Sequence, residues 1–250
     1  MKKLLLYSDV VALNRRDHGN LSLKKQKTYE FARETNAVPL LASEFASAAG
    51  EYAIVFTQSN DGVVPAVLLG ARDAENIFVD AEANWTARYV PAFVRRYPFV
   101  FASESKGETF TLMIDETYPG FNNDGRGERL FDSEGEQTAF LKQTLNFLKE
   151  YQRHFVRTRD FGQRLSSLSL LEPVEARLPL PQDPGRTLGG FQVINREKLK
   201  ALSGEVLEGL MKSDELELIY IHLGSLRNLN RLHEKMIEWM SAAEEPESMV

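Results

Sequence analysis

The stretch YAIVFTQSNDGVVPAVLLG, residues 52–70, predicts the sheet around which the chain folds. Two apolar runs, YAIVF and VVPAVLLG, flank the polar sequence TQSNDG. Asn60 to Gly62 supply residues that tolerate positive φ, so the two runs are expected to pair as a β-hairpin. Pro65 has no N–H to donate to a neighbouring strand, which favours a place at the start of its strand or at a sheet edge.

Further strand signals follow this hairpin. NIFVD, residues 76–80, is predicted to be a strand, and FVFASES (99–105) and TFTLMIDE (109–116) are predicted to pair across the turn SKGE. In the last of these segments apolar and polar residues alternate, as expected of a strand with one buried face. Two successive hairpins favour an antiparallel sheet over a regular alternation of strands and helices.

The helical signals lie in the second half of the chain. Ser133 and Glu136 have capping-box spacing and predict a helix over 134–156. A second helix is expected over 160–171, ended by Pro173. TLGGFQVIN suggests one more strand before a run of helices that REKLKAL opens. The apolar stripe along 214–243 predicts a last long helix, although its first part, LELIYIHL, is also compatible with a strand.

Four prolines within residues 172–185 mark the best candidate boundary in the chain. We expect an α+β part over 1–172 and a mainly helical part over 185–243, packed together as one compact unit. Residues 244–250 are expected to form a disordered tail. The predicted fold class is α+β: a mainly antiparallel sheet covered by helices, with a helical C-terminal subdomain.

Composition excludes several classes of protein. The 250 residues are 43% hydrophobic and 26% charged, with a net charge of −6, so no basic excess favours nucleic-acid binding. The absence of cysteine excludes disulfides and thiolate metal sites. The apolar run after Lys2 and Lys3 is too short for a signal peptide, and no stretch approaches the ~20 apolar residues of a membrane span. We therefore expect a cytoplasmic protein with no membrane span.

Candidate catalytic groups are sparse. The four histidines form no HxH or HExxH pattern, so no metal ligands and no cofactor are assigned. His222 and Ser225 lie three residues apart, and a helix would bring them together. Without a GxSxG elbow, a buried polar contact is favoured over a serine nucleophile. The oxygen-rich segment 121–136 matches the EF-hand pattern in no register and is interpreted as a turn-rich loop.

The segment YVPAFVRRYPFVF, residues 89–101, holds an arginine pair among aromatic rings. Pro91 and Pro98 restrict a helix to about residues 91–97. On that helix Arg96 shares a face with Phe93, whereas Arg95 points roughly 100° away and should be more exposed. Arg96 could bind an anionic or planar ligand, helped by stacking. The favoured alternative is that the arginine pairs with a buried carboxylate and fastens the helix to the sheet.

An ordered set of segments resembles the SapC-like family of bacterial proteins. The segments are NRRDHGNLSL, YAIVF, NIFVDAEANW, YVPAFVRRYPFVF, GERLFDSEG and IHLGSLRNLNRL. The resemblance covers about residues 10–232 and implies a bacterial protein linked to surface-layer, export or uptake functions. It brings no catalytic residues with it. The candidate ligand-binding residues are Trp85, Tyr89, Arg96, Tyr97, His18, His222 and Ser225.

These observations favour a cytoplasmic, non-enzymatic accessory or ligand-binding protein serving a bacterial surface-layer, export or uptake system. Its expected partners are components of that system, and its ligand a small anionic or aromatic molecule. The alternative is an enzyme, possibly metal-dependent, whose site is assembled from distant residues such as His18, His222 and Arg96. A purely structural subunit is a third possibility, for which a large apolar surface patch would be the sign.

Overall fold

The computed structural model describes residues 4–59, 62–103 and 110–244, with the backbone alone for residue 103 and for 242–244. The strands are β1 (Val10–Ala12), β2 (Ser22–Leu23), β3 (Ala37–Pro39), β4 (Ile54–Ser59), β5 (Gly62–Leu68), β6 (Phe99–Ser103), β7 (Phe110–Asp115), β8 (Phe121–Asn122), β9 (Glu128–Arg129), β10 (Leu171–Arg177) and β11 (Thr187–Ile194). The helices are α1 (Arg15–His18), α2 (Phe45–Ala48), α3 (Ala92–Arg95), α4 (Ala139–Ser167), α5 (Arg196–Lys200), α6 (Gly204–Lys212), α7 (Glu215–Ser225) and α8 (Asn228–Glu244).

The strands form antiparallel sheets, which confirms the predicted α+β class. A five-stranded sheet has the order β10-β11-β4-β5-β3, and a three-stranded sheet has the order β1-β7-β6. A small third sheet places β2 between β8 and β9. The two predicted hairpins are β4–β5 and β6–β7, and they lie in different sheets. Their turn residues, 60–61 and 104–109, lie outside the described residues.

Pro65 lies inside β5, which is flanked by β4 and β3, so its predicted place at a strand start or sheet edge is wrong. The carbonyl oxygen of Pro65 accepts a hydrogen bond from the N–H of Leu40, just after β3 ends. In an antiparallel pair the N and C=O of one residue face the same neighbour. The missing N–H therefore faces the end of the short strand β3, and the pairing of Pro65 with Phe56 in β4 does not need it.

The predicted strand at 76–80 is absent from the described structure, where Val79 makes only an isolated bridge to Trp85. Polar side chains turn the chain here instead. The side-chain oxygen of Asn76 accepts from the N–H of Phe78, and Asp80 accepts from the N–H of Asn84. Such local side-chain bonds compete with a strand ladder.

Helix α4 begins later than predicted, continues through the predicted break between 156 and 160, and ends at Ser167 before the predicted end at 171. Thr138 caps it by accepting from the N–H of Leu141, while Ser133 lies in a turn closed by Asp132. One helix of 29 residues replaces the two predicted over 134–156 and 160–171. No proline lies within this helix, and Pro173, which was expected to end the second helix, lies inside β10.

The C-terminal segment is helical after β11, as predicted, but residues 214–243 form two helices, α7 and α8. The predicted tail lies outside the described residues, except that Glu244 ends α8. The division at 172–185 stays a prediction. The five-stranded sheet combines β3, β4 and β5, which precede this segment, with β11, which follows it. Strand β10 begins at Leu171 and continues into the segment.

Two buried clusters fill the interior, and α4 contributes to both. Leu141 and Leu148 belong to the cluster that includes Phe99 of β6, whereas Tyr151 and Phe161 belong to the larger one beneath the five-stranded sheet. The point at which α4 passes from one cluster to the other lies near α3. Among the described residues, no helix has the length and apolar character that crossing a lipid bilayer requires.

Candidate functional site

The candidate site is built on α3, in the segment that carries the arginine pair. Pro91 precedes the helix in extended geometry with φ of −54°, and its carbonyl accepts from the N–H of Val94 and of Arg95. Helix α3 spans four residues within the predicted 91–97, and β6 follows at Phe99. The helix lies between Pro91 and Pro98, as predicted, but it is a single turn and so shorter than the predicted 91–97.

Helical geometry separates the two arginines in the predicted way. Arg95 is exposed, and its Nε donates to the carbonyl of Val90 over 2.9 Å. Arg96 is half-buried, with its guanidinium carbon 4.1 Å from the ring centre of Phe93 and 4.9 Å from that of Tyr151. A guanidinium within about 6 Å of a ring centre is attracted by the ring quadrupole. The two rings therefore fix the position of the Arg96 charge.

Arg96 has no carboxylate within ion-pair distance in the described part of the chain. Its Nε is buried and has no hydrogen-bond partner there. The favoured expectation of an ion pair is therefore wrong. A buried carboxylate does fasten α3, but it is Glu44, which accepts from the N–H of Ala92 and the hydroxyl of Tyr89. The arginine keeps an unpaired positive charge.

A pocket of about 240 Å³ opens beside this charge. Aromatic and aliphatic side chains form most of its wall, and the polar groups come from Arg96, Tyr151, Gln152 and Ser59. Its full lining is Pro39, Ser59, Val64, Phe93, Arg96, Tyr151, Gln152 and Phe155. An apolar wall with a few convergent polar groups is the usual composition of a small-molecule site.

The phenols around Arg96 are protonated donors. Burial raises the pKa of Tyr151 to about 12, and burial likewise raises that of Tyr7 to about 12, although in both cases the charge of Arg96 opposes the shift. Tyr7 donates to the carbonyl of Phe99 over 2.8 Å. The hydroxyl of Tyr151 makes no hydrogen bond to any described residue, which leaves it available to a bound molecule.

A second depression, of about 480 Å³, lies on β10, β11 and the end of β4. Among its lining residues the single ionisable group is that of Glu175, and the rest are neutral. The lining is Gln58, Pro173, Val174, Glu175, Gly190, Phe191 and Gln192. It therefore lacks the cation that distinguishes the Arg96 pocket.

The aromatic candidates beside Arg96 lie outside the pocket. Trp85 donates from its indole N–H to the hydroxyl of Tyr52 over 2.8 Å, and Tyr89 donates to Glu44 over 2.6 Å. Tyr97 stacks on Phe31, with ring centres 4.0 Å apart, and its hydroxyl donates to Asp115 over 3.3 Å. These contacts satisfy the polar ends of the rings within the fold.

His18 lies elsewhere, at the end of α1. The imidazole is buried, its Nδ1 lies 3.1 Å from the backbone N of Asn14, and its Nε2 lies 2.9 Å from a carboxylate oxygen of Glu116. A tautomer with the proton on Nε2 satisfies both contacts, because Nδ1 then accepts and Nε2 donates. The histidine thus joins the N-terminal segment to the residue that follows β7.

His222 and Ser225 do come together on α7, as the spacing predicts, and both are completely buried. Ser225 accepts from the N–H of Ile54 over 3.1 Å and donates to the carbonyl of His222. The imidazole donates from Nδ1 to the carbonyl of Ile54 and accepts at Nε2 from the N–H of Ile194. The two side chains satisfy backbone groups of β4 and β11.

His18 and His222 have separate hydrogen-bond partners, and neither shares one with Arg96. Over residues 4–59, 62–103 and 110–244, no group of three or more His, Cys, Asp or Glu side chains is arranged to hold a metal ion. The described structure therefore does not assemble the distant-residue site considered from the sequence.

The sequence indicates Arg96 and Phe93 but not the opposite wall of the pocket. Tyr151 and Phe155 lie four residues apart, a spacing that an apolar stripe of a core helix also has. An aromatic pair at i and i+4 with Gln152 between them was the available signal. Nothing in the spacing indicates that this part of α4 lies against α3, because that contact depends on the tertiary fold.

Neither the curated proteins nor the solved structures contain a match to this chain. The family model described as SapC matches residues 13–232, which is most of the chain and agrees with the resemblance seen in the sequence. The chain belongs to the SapC family.

Proposed function

We propose that this protein is a small-molecule binding protein whose Arg96 pocket takes a planar carboxylate. The observation that carries the proposal is the unpaired guanidinium of Arg96, held between two aromatic rings at the wall of a pocket. We further propose an accessory role in a bacterial surface-layer, export or uptake system. That role is supported by family membership alone.

The charge of Arg96 supports an anionic ligand. A partly buried cation without a carboxylate partner gains most from an anion that brings the missing hydrogen bonds. A guanidinium presents a planar fork of N–H donors that matches the two oxygens of a carboxylate. The hydroxyl of Tyr151 and the amide of Gln152 are further donors on the same wall.

The walls support a flat apolar body behind the carboxylate. Phe93, Tyr151 and Phe155 present rings, and Pro39 and Val64 present aliphatic surface. At about 240 Å³ the pocket is smaller than the ~300–1,000 Å³ of drug-sized sites, so the ligand is small. A benzoate-like molecule satisfies both the charge and the size.

A binding role fits the chemistry of the pocket better than catalysis. Burial raises the pKa of Tyr151 and leaves the phenol as a donor at neutral pH, and the lining includes neither a histidine nor a carboxylate to act as a general base. The groups named here therefore hold and orient a ligand without supplying a reacting proton.

Calorimetric titration tests the proposal with benzoate as the probe and benzylammonium and benzamide as matched planar molecules of other charge. We expect the purified protein to bind benzoate and to discriminate against the other two. Arg96→Gln should abolish the heat of binding, whereas Arg157→Gln, an exposed arginine on the same helix as Tyr151, should leave it unchanged.

Thermal unfolding of each variant shows whether the fold is intact. A folded Arg96→Gln variant that still binds benzoate as tightly as the wild type would overturn the proposal. Equal binding of all three probes would show that the charge plays no part in recognition.

A further inference from the structure

Helix α7 is apolar around most of its circumference. One side is buried in the fold through Ile219, His222 and Ser225. On the opposite side Tyr220 is 57% exposed, whereas Leu216 and Leu223 lie between the two sides, partly buried and packed against the core. A helix that is apolar on all sides is ordinarily covered on all sides. The outer side of α7 thus exposes one large ring to solvent in the single chain.

The outer face also has a gap next to its largest side chain. Gly224 is exposed one turn after Tyr220, and a Cβ built on Gly224 would meet no atom within 4 Å. Residues four apart on a helix are neighbours on one face. The face therefore presents a protruding ring beside an open patch of backbone, two shapes that complement each other.

Exposed charges flank this apolar centre with opposite sign at its two ends. Glu217 and Arg227 are exposed, and neither has an ion-pair partner among the residues whose side chains are described. Arg227 follows Leu226, whose φ of −61° and ψ of −23° keep the chain on the helical path. About 15 Å of helix rise separates the two charges.

The pattern is symmetrical about position 222. Tyr220 and Gly224 lie two residues on either side of it, and Glu217 and Arg227 lie five residues on either side. An antiparallel copy of the helix, rotated by a two-fold axis through this point, would bring each member of a pair opposite the other. Self-complementarity of this kind is what an isologous interface requires.

We propose that α7 is the two-fold interface of a homodimer. Tyr220 packs over Gly224 of the partner subunit, where the absence of a side chain allows the two helices to approach closely. Glu217 pairs with Arg227 of the partner subunit, and the symmetry repeats both contacts. Because opposite charges meet only in the antiparallel arrangement, they also select the orientation of the two helices.

A contact centred on one helix buries less area than the ~1,200–2,000 Å² of stable interfaces. We therefore expect a weak dimer whose population rises with protein concentration. Sedimentation equilibrium from micromolar to millimolar protein measures it. The wild type should move from monomer to dimer over that range. Glu217→Arg and Arg227→Glu should each raise the dissociation constant at least about tenfold, because each places like charges opposite one another.

The double variant Glu217→Arg with Arg227→Glu supplies the decisive result. It restores opposite charges across the two-fold axis, so its dissociation constant should return to within about threefold of the wild type. A wild type that stays monomeric throughout overturns the proposal, as does a double variant as weak as the single ones.

Gly224→Leu tests the apolar centre without disturbing the monomer, since the added side chain has open space in the single chain. It should keep the circular dichroism spectrum and abolish the dimer. Val156→Ala, which trims an exposed side chain on α4, should leave the dissociation constant unchanged. Full dimerisation of Gly224→Leu would place the interface elsewhere.

Discussion

The hydroxyl of Tyr89 lies 2.6 Å from a carboxylate oxygen of Glu44, and the same oxygen accepts from the N–H of Ala92 over 2.7 Å. The other oxygen of Glu44 accepts from the N–H of Leu41. Burial raises the pKa of Tyr89, and the adjacent carboxylate raises it further, so the hydroxyl remains a donor. One buried carboxylate thus sets where α3 begins and, with it, where Arg96 points.

Glu44→Gln should weaken both the fold and the site. The amide replaces one acceptor oxygen with a donor that faces another buried donor, and such a mismatch costs about 1–3 kcal/mol. We expect a lower free energy of unfolding in urea and weaker binding of benzoate. Glu51→Gln is the matched control, because Glu51 also accepts N–H bonds from this segment, at Arg88 and Tyr89, but near the surface. Equal losses from both variants would contradict the orienting role.

The imidazole of His222 holds two strands together where their ladder stops. Strands β4 and β11 pair at Gln192 and Phe56, and two residues further on His222 bonds to both Ile54 and Ile194. His222→Ala leaves two buried backbone groups without partners and should cost about 2–6 kcal/mol. Urea unfolding measures the loss. A cost below that range would show that the strands can close the gap themselves.

The same histidine should make stability depend on pH. Burial lowers the pKa of His222 from 6.5 to about 4, and the bond to Ile54 opposes only part of this shift. The unfolded chain therefore takes up a proton below pH 6.5 while the folded protein does not. Stability contributed by the neutral ring is present above pH 6.5 and declines as the pH falls towards 4, by about 3 kcal/mol.

Proton NMR of the His222 ring checks this assignment directly. In the folded wild type its chemical shift should stay constant from pH 7 to pH 5, whereas free histidine added to the sample titrates. A ring that titrates with the added histidine would contradict the neutral, buried state.

The arginine pair should respond unequally to replacement by alanine. Arg96→Ala removes the cation of the pocket, whereas Arg95→Ala removes an exposed side chain that lies over Tyr89 and Phe147. We expect benzoate binding to be lost in the first variant and to change less than about threefold in the second, since a rim charge adds little to affinity. Equal binding by both would contradict the separation that α3 imposes.

Arg96→Met should show whether Arg96 serves ligand binding or the stability of the fold. The buried, unpartnered Nε costs about 1–3 kcal/mol, while attraction to the rings returns about 0.5–2 kcal/mol. Methionine keeps an apolar stem and removes both terms, so the free energy of unfolding should change by less than about 1 kcal/mol. Phe93→Ala, which empties a buried position in the same wall, should cost about 3–5 kcal/mol. A loss from Arg96→Met as large as that from Phe93→Ala would show that the guanidinium is a structural tether.

Local chemistry accounts for the parts of the fold that the sequence predicts. The β4–β5 hairpin follows from a turn signal between two apolar runs, and α3 follows from the prolines that bracket it. Where two local signals compete, prediction is weaker: both Ser133 and Thr138 are good helix caps, and the structure uses Thr138. The decision depends on Asp132, which closes a turn around Ser133.

The remainder depends on contacts between distant parts of the chain. Arg96 contacts Tyr151, and His222 contacts Ile54, although the members of each pair lie far apart in the sequence. Periodic patterns along the chain do not indicate such contacts. The sequence identifies Arg96 as unusual because charge is rare among aromatic residues. It does not identify the ring that faces it, since an aromatic residue in an apolar stripe has the same pattern whether it packs in the core or lines a pocket.

The contact between α4 and β5 depends on the missing side chain of Gly162. A Cβ at this position would collide with the carbonyl oxygen of Val63 and lie 3.0 Å from the carbonyl carbon. In a helix interior alanine is more stable than glycine by about 1 kcal/mol. The colliding atoms here belong to the backbone, which cannot move aside as a flexible side chain can, so overpacking outweighs this gain. Gly162→Ala should therefore lower the free energy of unfolding by about 1–3 kcal/mol.

Gly224→Ala is the matched control, because it makes the same change inside a helix with open space around the new Cβ. Helix propensity then acts alone and should raise the free energy of unfolding by up to about 1 kcal/mol. Urea unfolding at low protein concentration measures both variants free of association. Opposite signs for the two glycines support the close approach of α4 to β5, and stabilisation by Gly162→Ala would mean that the two elements can move apart at little cost.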